Sequence, residues 1–324
     1  MSKMSTDLVR HALSGAVMGT RWQATFHAPP GCDPAPIRAA LQAAVDEVDA
    51  QMSTWKPDSD LMRLNAAPVG AWMIVPDGLR EVLQVGLEIG RASGGAFDIG
   101  IGDAVTAWGF GPQVATPERI RTAMTASRTP AFDALDIDAA TGLVRKTSPL
   151  ALDLNGIAKG YGVDRLTGTL GELGFKAGLV GIDGEMRGFG LRPGGAPWTL
   201  AVEAPDPERR TPHSILVLED AAVATSGDYR HWVEVQGRRL SHTMDPRRGA
   251  PLIASPASVT VVHETCMAAD AWATALMVKG SLEGAKMARR CNLDALFIDR
   301  EGDHLRETAV GRLFETRPDP GRVV

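Results

Sequence analysis

Cysteine is scarce in this chain, aromatic residues make up only 5% of it, and it has neither an excess of positive charge nor a long apolar run. Cys32, Cys266 and Cys291 form an odd set with no CxxC pair, which excludes a disulfide framework and a thiolate zinc site and fits a reducing compartment. Lys and Arg number 34 against 39 Asp and Glu, a net charge of -5, so no broad positive field gathers nucleic acid or anionic lipid. The opening segment, MSKMSTDLVRHALSGAVMG, breaks its apolar residues with Arg10 and His11. It reads as neither a signal peptide nor a membrane anchor, and a cytoplasmic location is expected. The motifs GxGxxG, GxxxxGK[ST] and GxSxG are missing, which removes the dinucleotide fingerprint, the P-loop and the serine elbow.

What is present is a globular composition, 44% apolar and 23% charged over 324 residues, enough for one large domain or two. Trp22, Ala24 and Phe26 alternate with polar neighbours and predict a half-buried strand over Arg21 to His27. Asp33 and Pro34 open a helix whose stripe is Ile37, Leu41, Ala44, Val45 and Val48. Further helices are predicted over Leu79 to Ile89, stopping near Gly94 and Gly95, and after Thr116-Pro117. The clearest one runs from Lys159 through Val163, Leu166, Leu170 and Leu173 to a terminating Gly174. Strands are predicted over Gly178 to Ile182, Trp198 to Glu203, Ser214 to Glu219, Trp232 to Gln236, Ala257 to Val262 and Ala295 to Ile298. Helices over Thr265 to Val278 and Ser281 to Cys291 complete the set. Without strict βαβ alternation the fold class is α+β, mixed sheets with packed helices. One domain is expected over residues 17–315, whole or as two packed subdomains, between tails 1–16 and 316–324.

Several segments carry groups suited to chemistry. Asp270 and Thr274 lie four apart, on one helix face, and offer a carboxylate and a hydroxyl that suit a hard cation such as Mg²⁺; the alternative is a hydrogen bond local to the helix. Asp153-Leu-Asn-Gly156-Ile-Ala-Lys159 leads into the clearest helix, where free amides and a lysine can face an anion, although a plain helix start is the simpler account. His242, in Ser241-His-Thr-Met244-Asp-Pro246, sits at a turn where an imidazole can exchange protons or simply be solvated. Gly94-Gly-Ala96-Phe97-Asp98 and Trp108-Gly-Phe110 pair small residues with aromatics, which serves a planar ligand or tight packing equally. Trp55 in a turn-forming stretch is a stacking surface or a lid on the core.

In order and wording these segments together resemble the FAD:protein FMN transferase family, also called the ApbE family. The resemblance runs from Met18-Gly-Thr20 through Met52 to Asn65, Gly95 to Asp98, Trp108 to Pro112, Asp153 to Asp164, Thr225 to Tyr229, His242 to Pro246 and Ala269 to Thr274. It implies a T-fold-related architecture and an enzyme that cleaves FAD with Mg²⁺, releases AMP and attaches FMN to a Ser or Thr of a target flavoprotein. It implies that Asp270 and Thr274 hold the metal with backbone oxygens of Gly156 and Ala273. Met18, Trp55, Ala96, Phe97, Asp98, Asp153, Lys159 and Met244 would line the FAD site, with Lys159 a clamp on phosphate and His242 the base for the acceptor hydroxyl. Trp55 replaces the tyrosine expected there. An FAD diphosphatase and a non-catalytic flavin-binding protein are the competing readings.

Overall fold

The first hairpin is closed by Met18-Gly19, both at positive φ (44° and 72°), a two-residue turn whose twist matches the strands it joins. It links β1 (Val9–Val17) to β2 (Thr20–Ala28). Residues 9–16, expected as a tail, are therefore strand: β1 is a sheet edge, largely exposed on both faces at its start, so its sequence lacks the alternation that marks β2. The computed structural model describes residues 8–206, 211–228, 232–235, 238–302 and 304–314. The expected tail 316–324, Tyr229 and Gln236 lie outside these.

Asp33 accepts the Ala35 N–H and opens α1 (Pro34–Met52), as its sequence predicts. Next come α2 (Asp60–Ala66), capped by Ser59, β3 (Met73–Ile74) and α3 (Asp77–Ala92). Short helices α4 (Gly102–Ala107), α5 (Pro117–Thr125) and α6 (Ala131–Ala134) lead to β4 (Leu135–Asp138) and β5 (Leu143–Lys146), and β5 pairs with both β4 and β3. Helix α7 (Ala158–Glu172) buries Val163, Leu166 and Leu170 and ends before Gly174 at φ 89°. Strands β6 (Gly178–Ile182) and β7 (Glu185–Phe189) are joined by Asp183-Gly184, again at positive φ. β8 (Trp198–Glu203) and β9 (Pro212–Leu218) pair with each other, and β10 (Ala221–Gly227) follows. Hairpins β11 (Trp232–Val235) with β12 (Arg238–Ser241) and β13 (Met244–Asp245) with β14 (Ala250–Pro251) precede β15 (Ser258–His263). The described chain closes with α8 (Cys266–Arg290), β16 (Asp294–Glu301) and β17 (His304–Val310). Gly280, at φ 71° and ψ 169°, interrupts α8 between the two helices predicted there.

Among the described residues the main sheet has eight strands in the order β1-β2-β6-β7-β10-β15-β16-β17, all paired antiparallel, so the architecture is α+β. Val259 and Val261 of β15 face α8, whereas Val223 of β10 and Val262 of β15 face the opposite way. There Trp198, Val202, Leu216 and Leu218 of the β8–β9 pair cover them, so the sheet is buried on both faces at its centre. Among the described residues no helix is long and apolar enough to cross a membrane.

Candidate active site

Two helix starts meet beside the sheet. Asp164 of α7 accepts hydrogen bonds from the Cys266 N–H (3.0 Å) and the Met267 N–H (2.9 Å), satisfying amides that α8 itself leaves unpaired, and it pairs with Arg187 of β7. Thr265 caps the same end by accepting from Ala268 N–H. The helices touch at Gly160, where a Cβ would stand 2.4 Å from the Cys266 carbonyl oxygen. Gly160 N–H then donates to Asp270 Oδ2 at 3.1 Å. Asp270 is only 5% exposed, and burial, aided by the neighbouring Glu185 charge, pushes its carboxyl up to about 7 against the pull of Lys159 and the Gly160 amide.

One turn along α8, Thr274 Oγ1 lies 3.3 Å from Ser226 Oγ at the end of β10. A Cβ on Gly156 would come within 3.1 Å of the same Thr274 oxygen, so the loop before α7 lies directly against it. In that loop the Asp153 carboxylate accepts from the Asn155 N–H (2.9 Å) and side-chain amide (3.0 Å), while burial raises it to about 6.

Lys159 reaches across to the β6–β7 turn, where its ammonium meets Asp183 (3.2 Å) and Glu185 (3.1 Å). Those carboxylates hold Lys159 well above the usual lysine range despite its burial, while burial pushes Glu185 upward. Glu185 Oε2 is buried and has no hydrogen-bond partner among the described residues. Sequence reasoning reads the Lys159 charge as free for phosphate; here two carboxylates already hold it. Neither Asp183 nor Glu185 was foreseen: each lies more than twenty residues from Lys159, and the only local signal was the hairpin-forming Asp-Gly pair. We expect Lys159→Met to lower the unfolding free energy, read from denaturant melts, by about 3 kcal/mol at pH 8, since it strands two partly buried carboxylates. The loss should shrink as pH falls, because burial favours the protonated form of Glu185, and adding Glu185→Gln should restore part of the stability.

His242 follows β12 and is half-buried, with the Phe110 ring edge-on at a centroid distance of 6.5 Å. Its loop is fixed by Ser241 Oγ, which accepts the Thr243 N–H, and by the Met244–Pro251 and Asp245–Ala250 pairings. Trp108 is buried beneath and donates its indole N–H to the Gly249 carbonyl at 2.9 Å, a packing role; Phe110, two residues on, is the aromatic that reaches the cavity. Asp98 accepts from the Gly100 and Ala131 N–H groups, and burial raises its carboxyl. Cys266 is fully buried and its thiol is pushed up by burial, consistent with packing.

Asp270, Thr274, Ser226, Asp153, Lys159, Asp183, Glu185, His242, Phe110 and Asp98 line one cavity of about 700 Å³. Met18, Trp55, Ala96, Phe97, Asp98, Asp153, Gly156, Lys159, His242, Met244, Asp270 and Thr274 all border it, so the sequence-predicted residues converge, with one exception. Ala273 is fully buried in α8 and does not border it. Trp55 stands 62% exposed at the rim, a free surface and not a lid on the core. Among the described residues no three His, Cys, Asp or Glu side chains form a metal cluster, so a cation here would rest on a single carboxylate with hydroxyl and backbone oxygens.

The sequence model of the ApbE family matches residues 18–297. A Vibrio cholerae protein named FAD:protein FMN transferase is 36% identical over 305 residues, covering 92% of this chain and 90% of its own length. The Escherichia coli K12 protein of the same name is 32% identical, covering 90% of this chain and 84% of its own. The crystal structure of the Pseudomonas stutzeri flavinyl transferase ApbE, apo form, superposes with a TM-score of 0.83 at 35% identity, covering 96% of this chain and 98% of that one.

Proposed function

This chain belongs to the ApbE family, and from that premise we propose that it is an Mg²⁺-dependent FAD:protein FMN transferase that attaches FMN to a Ser or Thr of a target flavoprotein. The observation that carries the reading is the convergence on one cavity of a buried carboxylate and hydroxyl, an imidazole and an apolar wall of Met18, Ala96 and Phe97.

The site suits a hard divalent cation. Asp270 offers one buried carboxylate, and beside it Glu185, paired with Lys159 through its other oxygen, keeps a buried oxygen without a hydrogen-bond partner among the described residues, so the local charge favours a cation. Asp270 and Thr274 would hold Mg²⁺ together with backbone oxygens of Gly156 and Ala273. When bound, the ion neutralises diphosphate charge as the phosphoryl group is transferred. Lys159 balances the carboxylates around it and so fixes the charge that the phosphates meet. Met18, Trp55, Ala96, Phe97, Asp98, Asp153 and Met244 form the walls for FAD. His242 accepts the proton of the target hydroxyl while that oxygen bonds to the FMN phosphorus; the bond from this phosphorus to the bridging oxygen breaks and AMP leaves.

Incubating the protein with FAD, MgCl₂ and a cell lysate, then measuring AMP and flavin fluorescence on denatured protein bands, tests the reading. AMP with a fluorescent band is expected. AMP without a band indicates a diphosphatase, and neither indicates a binding protein. Trp55→Ala should weaken FAD affinity about tenfold while leaving the melting temperature unchanged, because the indole is largely solvent-exposed. Trp55→Tyr should restore binding; a calorimetric titration compares the three.

A further inference from the structure

The segment that carries Asp153 into the site is gripped from two directions. The Ala151 carbonyl accepts the Gly102 N–H (2.9 Å), and the Asp153 N–H donates to the Ile99 carbonyl (2.8 Å). The approach is close, since a Cβ on Gly102 would stand 2.9 Å from the Ala151 carbonyl oxygen. Leu152, between these two residues, gives both of its backbone groups to the side chain of Asn65. Asn65 Oδ1 accepts the Leu152 N–H at 2.7 Å, and Asn65 Nδ2 donates to the Leu152 carbonyl at 2.9 Å. One side-chain amide thus matches a donor and an acceptor at once, as the backbone of a neighbouring strand would. Leu152 is buried, so losing that amide deprives two backbone groups of their partners together.

Asn65 is itself held in place. It stands in the last turn of α2, whose start is fixed by Ser59: that hydroxyl accepts the Met62 N–H and donates to the Ser53 carbonyl. The Asn65 carbonyl, one of those a helix end leaves unpaired, accepts from the buried Lys146 ammonium at 2.6 Å. Asn65 does not border the main cavity, but Asp153 and Gly156, one and four residues past Leu152, both do. Across the other contact, Ile99 follows Ala96, Phe97 and Asp98, which border it as well.

Building on the transferase reading, we propose that Asn65 is a positioning residue for the reaction on FAD. It acts through Leu152, setting where Asp153 and the Gly156 backbone stand in the cavity. A displacement of about 1 Å at a reacting centre costs about 10²-fold in rate. Met18, Trp55, Phe97 and Met244 stand on other segments, so capture of FAD depends on this clamp less than turnover does. A second cavity, of about 500 Å³, is lined by Asn65, Leu152 and Asp153 among others. Water entering there can replace a missing amide, so a truncated variant keeps the fold and loses the placement.

The test uses the full chain with FAD and MgCl₂. Asn65→Ala should lower kcat for AMP release about 10²-fold and leave KM for FAD within about threefold of wild type. Asn65→Asp still accepts the Leu152 N–H but sets an oxygen against the Leu152 carbonyl, and should lose kcat in the same way. Leu41→Ala, a truncation of a fully buried residue outside the cavity, should lower the melting temperature at least as much and keep wild-type kcat. With neither FAD nor metal, amide hydrogen exchange at Leu152 should quicken in Asn65→Ala. Wild-type kcat in either Asn65 variant, an equal loss of kcat in Leu41→Ala, or a raised KM with kcat unchanged overturns the proposal, as does unchanged exchange at Leu152. Absence of AMP from the unsubstituted chain would instead overturn the transferase reading, and this inference with it.

Discussion

Asp270→Asn is expected to abolish Mg²⁺-dependent release of AMP from FAD, a loss of about 10³-fold or more, and at the same time to make the metal-free protein more stable at pH 8. Both effects come from one buried carboxylate. Its value rises from an ordinary 3.8 to about 7 because burial and the Glu185 charge penalise ionisation. Between these values the folded chain holds a proton that the unfolded chain has released, so this group's contribution to stability is complete below about 4 and is lost as pH rises through 7. At pH 8 Asp270 is ionised in the fold at a cost of a few kcal/mol, and Asn removes that cost while still accepting the Gly160 N–H. A cation seated on the carboxylate offsets the same cost, so MgCl₂ should raise the melting temperature of the wild type at pH 8 and leave the variant unmoved. Thermal unfolding at pH 5 and pH 8, with and without MgCl₂, reads all of this. A melting shift with Mg²⁺ in Asp270→Asn would remove the carboxylate from the metal site.

His242→Ala should keep FAD binding and lose protein labelling. A serine or threonine hydroxyl is a weak nucleophile, and a positioned imidazole that takes its proton contributes about 10²- to 10⁴-fold. The side chain borders the cavity and packs edge-on against Phe110, so truncation leaves Asp270, Thr274 and the apolar wall untouched. Retained flavin with labelling at the wild-type rate would rule out His242 as the base. Loss of flavin affinity would make it a binding residue instead.

Local patterns carried most of the fold. Helices α1 and α7 were legible because a capping Asp33 or a terminal Gly174 brackets an apolar stripe, and the separate helices expected over Thr265 to Val278 and Ser281 to Cys291 match the interruption at Gly280. The edge strand β1 was not, since an edge needs no alternating burial. Short β7, Glu-Met-Arg-Gly-Phe, carries no period at all, and it holds both Glu185 and the Arg187 partner of Asp164. The site divides the same way. Asp270 with Thr274, one turn apart, could be found from spacing, and the rest of the cavity from resemblance to a family. The charge balance around Lys159 could not, because it depends on chain segments brought together only by the β6–β7 turn. Asp164 is a similar case: it reads as one polar residue on a helix until α8 arrives with its unpaired amides, 102 and 103 positions along the chain.

Gly160 gives the site its ruler. There α7 meets the start of α8 with no room for a Cβ, and the Gly160 amide is the one that steadies Asp270, so helix approach and carboxylate placement are set by the same backbone unit. Precision here comes from material left out: Asp270 and Thr274 stay registered to the loop at Gly156 because, at Gly160, no side chain stands between the two rods that carry them.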